Sequence, residues 1–176
     1  MLHRYAFSNF QSFRERTAVS WLLDGRVPAA VWSGQATTAA RVSTVMAVIG
    51  PNASGKTALL KPILFLDWFM RHSFGTDPSA PLPLRPHAAA QNEPTEFEVE
   101  ADFDGRLWRY TLRCTPQRVL HEALYVKHER MRYVFVREWN ESSQSYDVKQ
   151  QDFGLAPAEA RKVRPNASLI ATAAQY

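Results

Sequence analysis

The sequence predicts an α/β fold: a mixed sheet, one long helix entered from a glycine-containing loop, and an antiparallel β subdomain after it. Three observations carry this. Ser43 to Ile49 is an apolar run with Val45, Val48 and Ile49 in it, the composition of a buried central strand. It leads into a loop bounded by Gly50 and Gly55, after which Leu59, Leu60, Ile63, Leu64, Leu66 and Phe69 recur at helical spacing. Asp104-Gly105 then stands between two alternating runs, the signature of a two-residue type I′ hairpin turn.

In chain order, Leu2 to Phe10 alternates as a strand, and Asn9 to Arg14 is a turn with two aromatics, Phe10 and Phe13. Thr17 to Leu23 reads as a second strand closed by Asp24-Gly25. Residues 27–41 are small and polar and read as a connection, with a short strand near Val31-Trp32. The helix should run from Lys56 to about Arg71, bent where Pro62 removes a backbone donor. Residues 73–94 hold Pro78, Pro81, Pro83, Pro86 and Pro94, which predicts an extended, mobile insertion. In the hairpin over Thr95 to Cys114 the turn fixes the register. Glu100 then faces Arg109 and Glu96 faces Arg113 on a solvated side, while Phe97 meets Leu112, Val99 meets Tyr110 and Ala101 meets Trp108 on the other. Val119 to Lys127, Tyr133 to Trp139 and Tyr146 to Val148 complete the β region. Helical pieces are expected at Pro157 to Lys162 and Ala167 to Tyr176. The organisation is therefore one domain over 1–176, divided into 1–72, the insertion 73–94, the β region 95–149 and the start of a helical segment over 150–176.

Composition sets the class. In 176 residues, 45% hydrophobic and 12% aromatic content suffices for one core. The one cysteine, Cys114, excludes an internal disulfide framework and fits a reducing cytosol, so a cytoplasmic location is expected. Met1 to Phe10 alternates polar and apolar residues rather than forming a signal peptide, and the longest apolar run, Ile63 to Met70, is interrupted by Asp67 and too short for a membrane span. The net charge of +4 permits contact with nucleic acid without arguing for it.

The chemistry lies in Gly50-Pro51-Asn52-Ala53-Ser54-Gly55-Lys56-Thr57, a phosphate loop between a strand pattern and a helix pattern. Such a loop wraps phosphates closely, so Gly50 and Gly55 bring backbone in without a side chain. The N–H groups from Ala53 to Thr57 form an anion nest, and the helix adds its positive end. Lys56 places a point charge on the β- and γ-phosphates, and the Thr57 hydroxyl ligates Mg²⁺. Asn52 is a candidate for positioning an attacking water. The expected ligands are ATP and Mg²⁺. Hydrolysis needs more parts. Ile63-Leu64-Phe65-Leu66-Asp67 has the letters of a Walker B strand but falls inside the loop's own helix, and no Leu-Ser-Gly-Gly-type signature occurs. A GTPase reading lacks an Asn-Lys-x-Asp base reader, since Asp102-Phe103-Asp104-Gly105 is a hairpin tip, and a kinase reading conflicts with the long β region.

Tyr5-x-Phe7-Ser8-Asn9-Phe10-x-Ser12-Phe13, followed by Ile49 and the phosphate loop, resembles the N-terminal lobe of SMC-like ABC ATPases. Within these it is similar to the AAA-type ATPases related to the overcoming-lysogenization-defect proteins of bacterial defence and toxin–antitoxin-like systems. Glu93-Pro94-Thr95-x-Phe97-Glu98, Glu122-x-Leu124-Tyr125 and Asn166-Ala167-Ser168-Leu169-Ile170 extend the likeness along the chain. The resemblance implies a longer head in which a signature motif and Walker B follow, and two heads sandwich two ATP molecules. The implied partners are a second head or the missing C-terminal lobe, with nucleic acid or an effector protein as the further candidates and no membrane. It also places the turn near Asn9 to Arg14 beside the base, where Phe13 or Arg14 could stack, although core residues are the simpler reading of Phe10 and Phe13. Gln91 is a candidate for the glutamine that reaches Mg²⁺ or water in relatives, with a plain loop glutamine as the simpler reading. The alternative to a head that hydrolyses ATP is a nucleotide-binding regulatory or assembly module without turnover.

Overall fold

A computed structural model describes residues 1–36 and 40–176. Residues 37–39 of the expected connection lie outside the described residues. The main sheet has seven strands in the order β2-β1-β5-β6-β7-β8-β9, with β1 at Leu2–Ser8, β2 at Thr17–Ser20, β5 at Thr95–Phe103, β6 at Arg106–Cys114, β7 at Val119–Lys127, β8 at Met131–Asn140 and β9 at Ser145–Gln150. A separate two-stranded ribbon joins β3, Ser33–Gln35, to β4, Arg41–Ser43. The long helix α1 spans Lys56–His72; α2, Pro157–Arg161, and α3, Leu169–Ala173, are single turns.

The hairpin is the most literal translation of the sequence. Asp104 and Gly105 take φ of 48° and 72°, as a type I′ turn requires, and Phe97↔Leu112, Val99↔Tyr110 and Ala101↔Trp108 pair across it. One face of the sheet packs Tyr5, Phe7, Phe97, Tyr110 and Leu112 against Phe65, Leu66 and Phe69 of α1. These three recur at helical spacing, so one stripe of the helix enters the core. Pro62 is buried within α1, which runs on through it. Phe65 stacks on Phe97 at 5.0 Å and lies against Phe10 at 6.4 Å, tying helix, sheet and N-terminal turn together.

The opposite face carries the charges. Burial opposes ionisation of Glu100, but hydrogen bonds from Arg4 and Arg109 outweigh it and hold its carboxyl below the usual glutamate range. Glu100 faces Arg109 and Glu96 faces Arg113 as expected, but Glu100 is buried rather than solvated and the Arg113 guanidinium makes its ion pair with Glu138 at 3.6 Å. The expected face is thus present, but Arg4 supplies a second guanidinium from β1.

Three expectations are corrected. Every strand pairing among the described residues is antiparallel, so the sheet is not mixed. The apolar run before the loop is not a buried strand: β4 ends at Ser43, and Val45 and Ile49 are 68% and 91% exposed. A strand needs a neighbour for its backbone groups. Both sides of β1 are taken, by β2 and β5, and 44–49 finds no ladder partner among the described residues. The proline-rich insertion is extended but anchored. Leu82, Leu84 and Ala90 are buried, Leu82 N–H donates to Pro116 O at 2.7 Å, and Gln11 N–H donates to Arg85 O at 2.7 Å. Its prolines hide two leucines that the core takes up.

No helix among the described residues is long and apolar enough to cross a membrane.

Candidate nucleotide site

The phosphate loop is built from the turn beneath it. Asn9, a non-glycine residue at φ 50°, is buried, and its side-chain amide donates to Ala90 O at 2.9 Å and Glu93 O at 2.8 Å while its Oδ1 accepts from His87 N–H at 2.9 Å. Its carbonyl accepts from the Thr95 hydroxyl at 2.8 Å. One short polar side chain therefore locks the turn 9–14 to residues 87–95. Phe10 and Phe13 close the turn through their backbones, Phe10 N–H donating to Phe13 O at 2.8 Å, and the Phe13 ring meets Phe7 edge-on at 5.2 Å.

Gly55 lands on this platform. It adopts φ 88°, and a Cβ there would lie 3.4 Å from both Phe13 Cζ and Ser12 Oγ, so a side chain is opposed by conformation and by contact. At Gly50 a Cβ would come within 2.9 Å of Ser54 Oγ. Ala53 also takes a left-handed φ of 63°, the alternation that turns successive N–H groups inward. α1 starts immediately, with no side-chain cap and no acidic residue in its first turn. Its first amides cannot be used within the helix and face the groove. The Lys56 ammonium donates to Gly50 O at 2.8 Å and Pro51 O at 2.6 Å, which holds it across the loop.

The groove so formed has a volume of about 410 Å³ and is lined by Gln11, Ala58, Lys61 and the loop residues Asn52 to Thr57. It holds donors and two ammonium groups and no carboxylate. That inventory suits a polyphosphate. The residues fit ATP and Mg²⁺: Gly50 and Gly55 keep the cradle clear, Lys56 and Lys61 would meet phosphate charge, and the exposed Thr57 offers an oxygen to a hard cation.

The structure brings Asn52 and the loop together and leaves three candidates outside the groove. Phe13 is wedged between Gly55 and Phe7, a support for the loop. Arg14 is exposed, 4.0 Å from Glu93. Gln91 is exposed on the 87–93 turn that Asn9 pins and does not line the groove. Gln11 and Lys61 were missed by sequence reasoning. Lys61 sits one helical turn after Thr57, and that spacing was the available signal. Gln11 at φ 53° shows only once the turn is folded. Asp67, the end of the Walker B-like letters, is on the surface of α1 paired with Arg71 at 2.7 Å, and Asp102 to Gly105 is a hairpin tip.

Residues 45–170, most of the chain and all of this groove but Gln11, match a family model described as an AAA domain, AbiEii toxin-like, Type IV TA system. The chain belongs to this AAA domain family. No curated protein matches it. Membership gives the AAA domain a P-loop NTPase fold and a function of the nucleotide-binding, ATPase class, in which ATP with Mg²⁺ is the general ligand. The matched region also takes in a second unit of the fold, a buried clamp at the far end of α1. Glu122 accepts from Tyr110 Oη at 2.9 Å, from Ser168 Oγ at 2.6 Å and from Leu169 N–H at 3.1 Å. Arg137, wholly buried, donates to the carbonyls of Val163, Arg164 and Ala167 at 2.8 to 2.9 Å and lies 3.7 Å over the Tyr146 ring. Burial, and then the charge of Glu122, push the Tyr110 phenol well above its ordinary value.

Proposed function

We propose that the chain is the ATP- and Mg²⁺-binding N-terminal part of an SMC-like ATPase head of the overcoming-lysogenization-defect type. The observation that carries this is the groove itself: an uncapped helix start, two lysines and inward amides, with no acid among its lining residues. Such a groove binds the triphosphate, with Lys56 leaving the carbonyls of Gly50 and Pro51 for the β- and γ-phosphates. It supplies no carboxylate to hold Mg²⁺ through water or to orient a nucleophile, so turnover requires a Walker B acid and a signature motif from a C-terminal lobe and a second head. Thr57 is the Mg²⁺ ligand in this reading, and Asn52 faces the γ-phosphate.

The exposed apolar surface supports the same completion. Val45 and Ile49 before the loop, and Leu60 and Leu64 on the outer side of α1, are all half or more exposed. A β-branched run beside an exposed helix stripe is the surface that further strands of a head would cover. In the cytoplasm of a bacterium, such a protein acts in defence or toxin–antitoxin functions.

Calorimetry of the chain with Mg²⁺-ATP tests the reading. We expect binding that Lys56→Ala abolishes and turnover at the level of the Lys56→Ala control. Absence of nucleotide binding would remove the proposal, and Lys56-dependent turnover by the chain alone would show that no further lobe is needed.

A further inference from the structure

The sheet has two ends, and the phosphate loop occupies one of them. β1 runs away from the other, where Leu2 pairs with Ala101 and the β5–β6 tip projects. β7 and β8 bring their own tip to the same end, since Trp108 pairs with Val126, Val126 with Arg132 and Lys127 with Met131. Arg106, Lys127, Arg130 and Arg132 are gathered there, all exposed.

These cations differ from the others on the sheet. Arg4, Arg16, Arg109 and Arg113 each have a glutamate partner. Arg106, Lys127, Arg130 and Arg132 make no ion pair among the described residues. The exposed carboxylates of the two tips are Asp104 and Glu129, since the Asp102 side chain is buried against His3 at 3.2 Å; they stand against four exposed basic side chains, with exposed His128 beside them. The strands β6 to β8 spread the charges over about 10 Å.

An aromatic ring stands among them. Phe103 is 73% exposed and directly opposite Arg106. It is displayed by an ordered turn: Asp104 and Gly105 hold left-handed φ, and Trp108 Nε1–H donates to Phe103 O at 3.0 Å. A large apolar side chain held outward with Arg106 opposite it, at an end of the sheet where further unpaired cations are exposed on both faces, matches the requirements of a nucleic-acid strand, whose phosphates take the charges and whose unstacked bases take the ring. An acidic peptide would meet the cations but offers no base face to the ring, and a duplex keeps its base faces stacked away from it.

We propose that this end of the sheet binds single-stranded nucleic acid, with Arg106, Lys127, Arg130 and Arg132 on the backbone and Phe103 as a stacking platform. The proposal does not depend on nucleotide binding at the loop.

Fluorescence anisotropy with a labelled oligothymidine of about 20 nucleotides tests it, at about 50 mM salt and upward. The expected result is salt-dependent binding that Lys127→Glu/Arg130→Glu weakens by tenfold or more, with a salt slope lower by about 1.4 for the two lost phosphate contacts. Phe103→Ala should weaken it roughly fivefold or more without changing that slope. Arg106→Glu, on the neighbouring hairpin, provides a second charge reversal should the double variant fold poorly. Unaltered thermal midpoints would show that the losses are local. No binding at low salt, binding indifferent to the charge reversals, or equal binding of a duplex with Phe103→Ala silent would each overturn the assignment.

Discussion

The two ends of α1 lie in opposite surroundings. Its start is open: no cap, an exposed loop, and amides that look into a groove. Its end is sealed. Ser73, wholly buried, donates through its hydroxyl to Phe69 O at 2.6 Å and accepts from Ser168 N–H at 2.9 Å. The segment 163–169 that caps it there is itself gripped by Glu122 and Arg137. Asn166 extends the grip to the insertion by donating to Asp77 O and Ala80 O at 2.8 and 2.9 Å. A helix start with free donors attracts negative charge. The polar interactions buried at the C-terminal end hold the helix, and the N-terminal end keeps its donors free.

This contrast predicts which substitutions unfold the protein and which only empty the groove. Arg137→Ala should cost the most, about 3–5 kcal/mol, because it strips three carbonyls and leaves the buried Glu122, 3.5 Å from the guanidinium, without a cation; urea denaturation measures it. Asn9→Ala should cost about 1–3 kcal/mol in the same assay, since the carbonyls of Ala90 and Glu93 lose their donor. Arg113→Ala, in an exposed pair with Glu138, should cost less than about 1 kcal/mol. A loss of similar size for Arg113→Ala and Arg137→Ala would break the comparison.

Acid sharpens it further. Glu100 has a lowered folded-state pKa, so its contribution is present above the ordinary glutamate value and is lost as pH falls through the folded one. Arg4→Ala removes one of the two guanidiniums and should flatten that acid limb in a pH series of urea midpoints. In contrast, burial and the charge of Glu122 push the Cys114 thiol up, so it should stay unmodified by a thiol reagent at neutral pH until the chain unfolds.

The sequence carried some of this plainly. Asp104-Gly105 and the opposed Glu and Arg residues set the hairpin register residue by residue, because turn chemistry and cross-strand charge agree. Gly50 to Thr57 announced the loop, because Gly50, Gly55, Lys56 and Thr57 each have a steric or electrostatic reason there. Other parts were not legible. The run 44–49 has the composition of a core strand, but composition does not say whether a neighbour is present to pair with it. Leu82 and Leu84 are masked by the prolines around them. Glu122 and Arg137 look like surface charges in alternating strands, and only the return of residues 163–169 across the sheet buries them. Glu122-x-Leu124-Tyr125 and Asn166-Ala167-Ser168-Leu169-Ile170, along which the resemblance extends, meet in that clamp.

In the proposed reading the open end of α1 binds nucleotide, and Lys56, which contacts only its own loop, is dispensable for the fold. Thermal unfolding of the chain and of Lys56→Ala, each with and without Mg²⁺-ATP, tests it most directly. We expect equal midpoints without ligand and a ligand-induced rise of the midpoint in the wild-type chain alone. A rise of the same size in Lys56→Ala, or none in either protein, would contradict it.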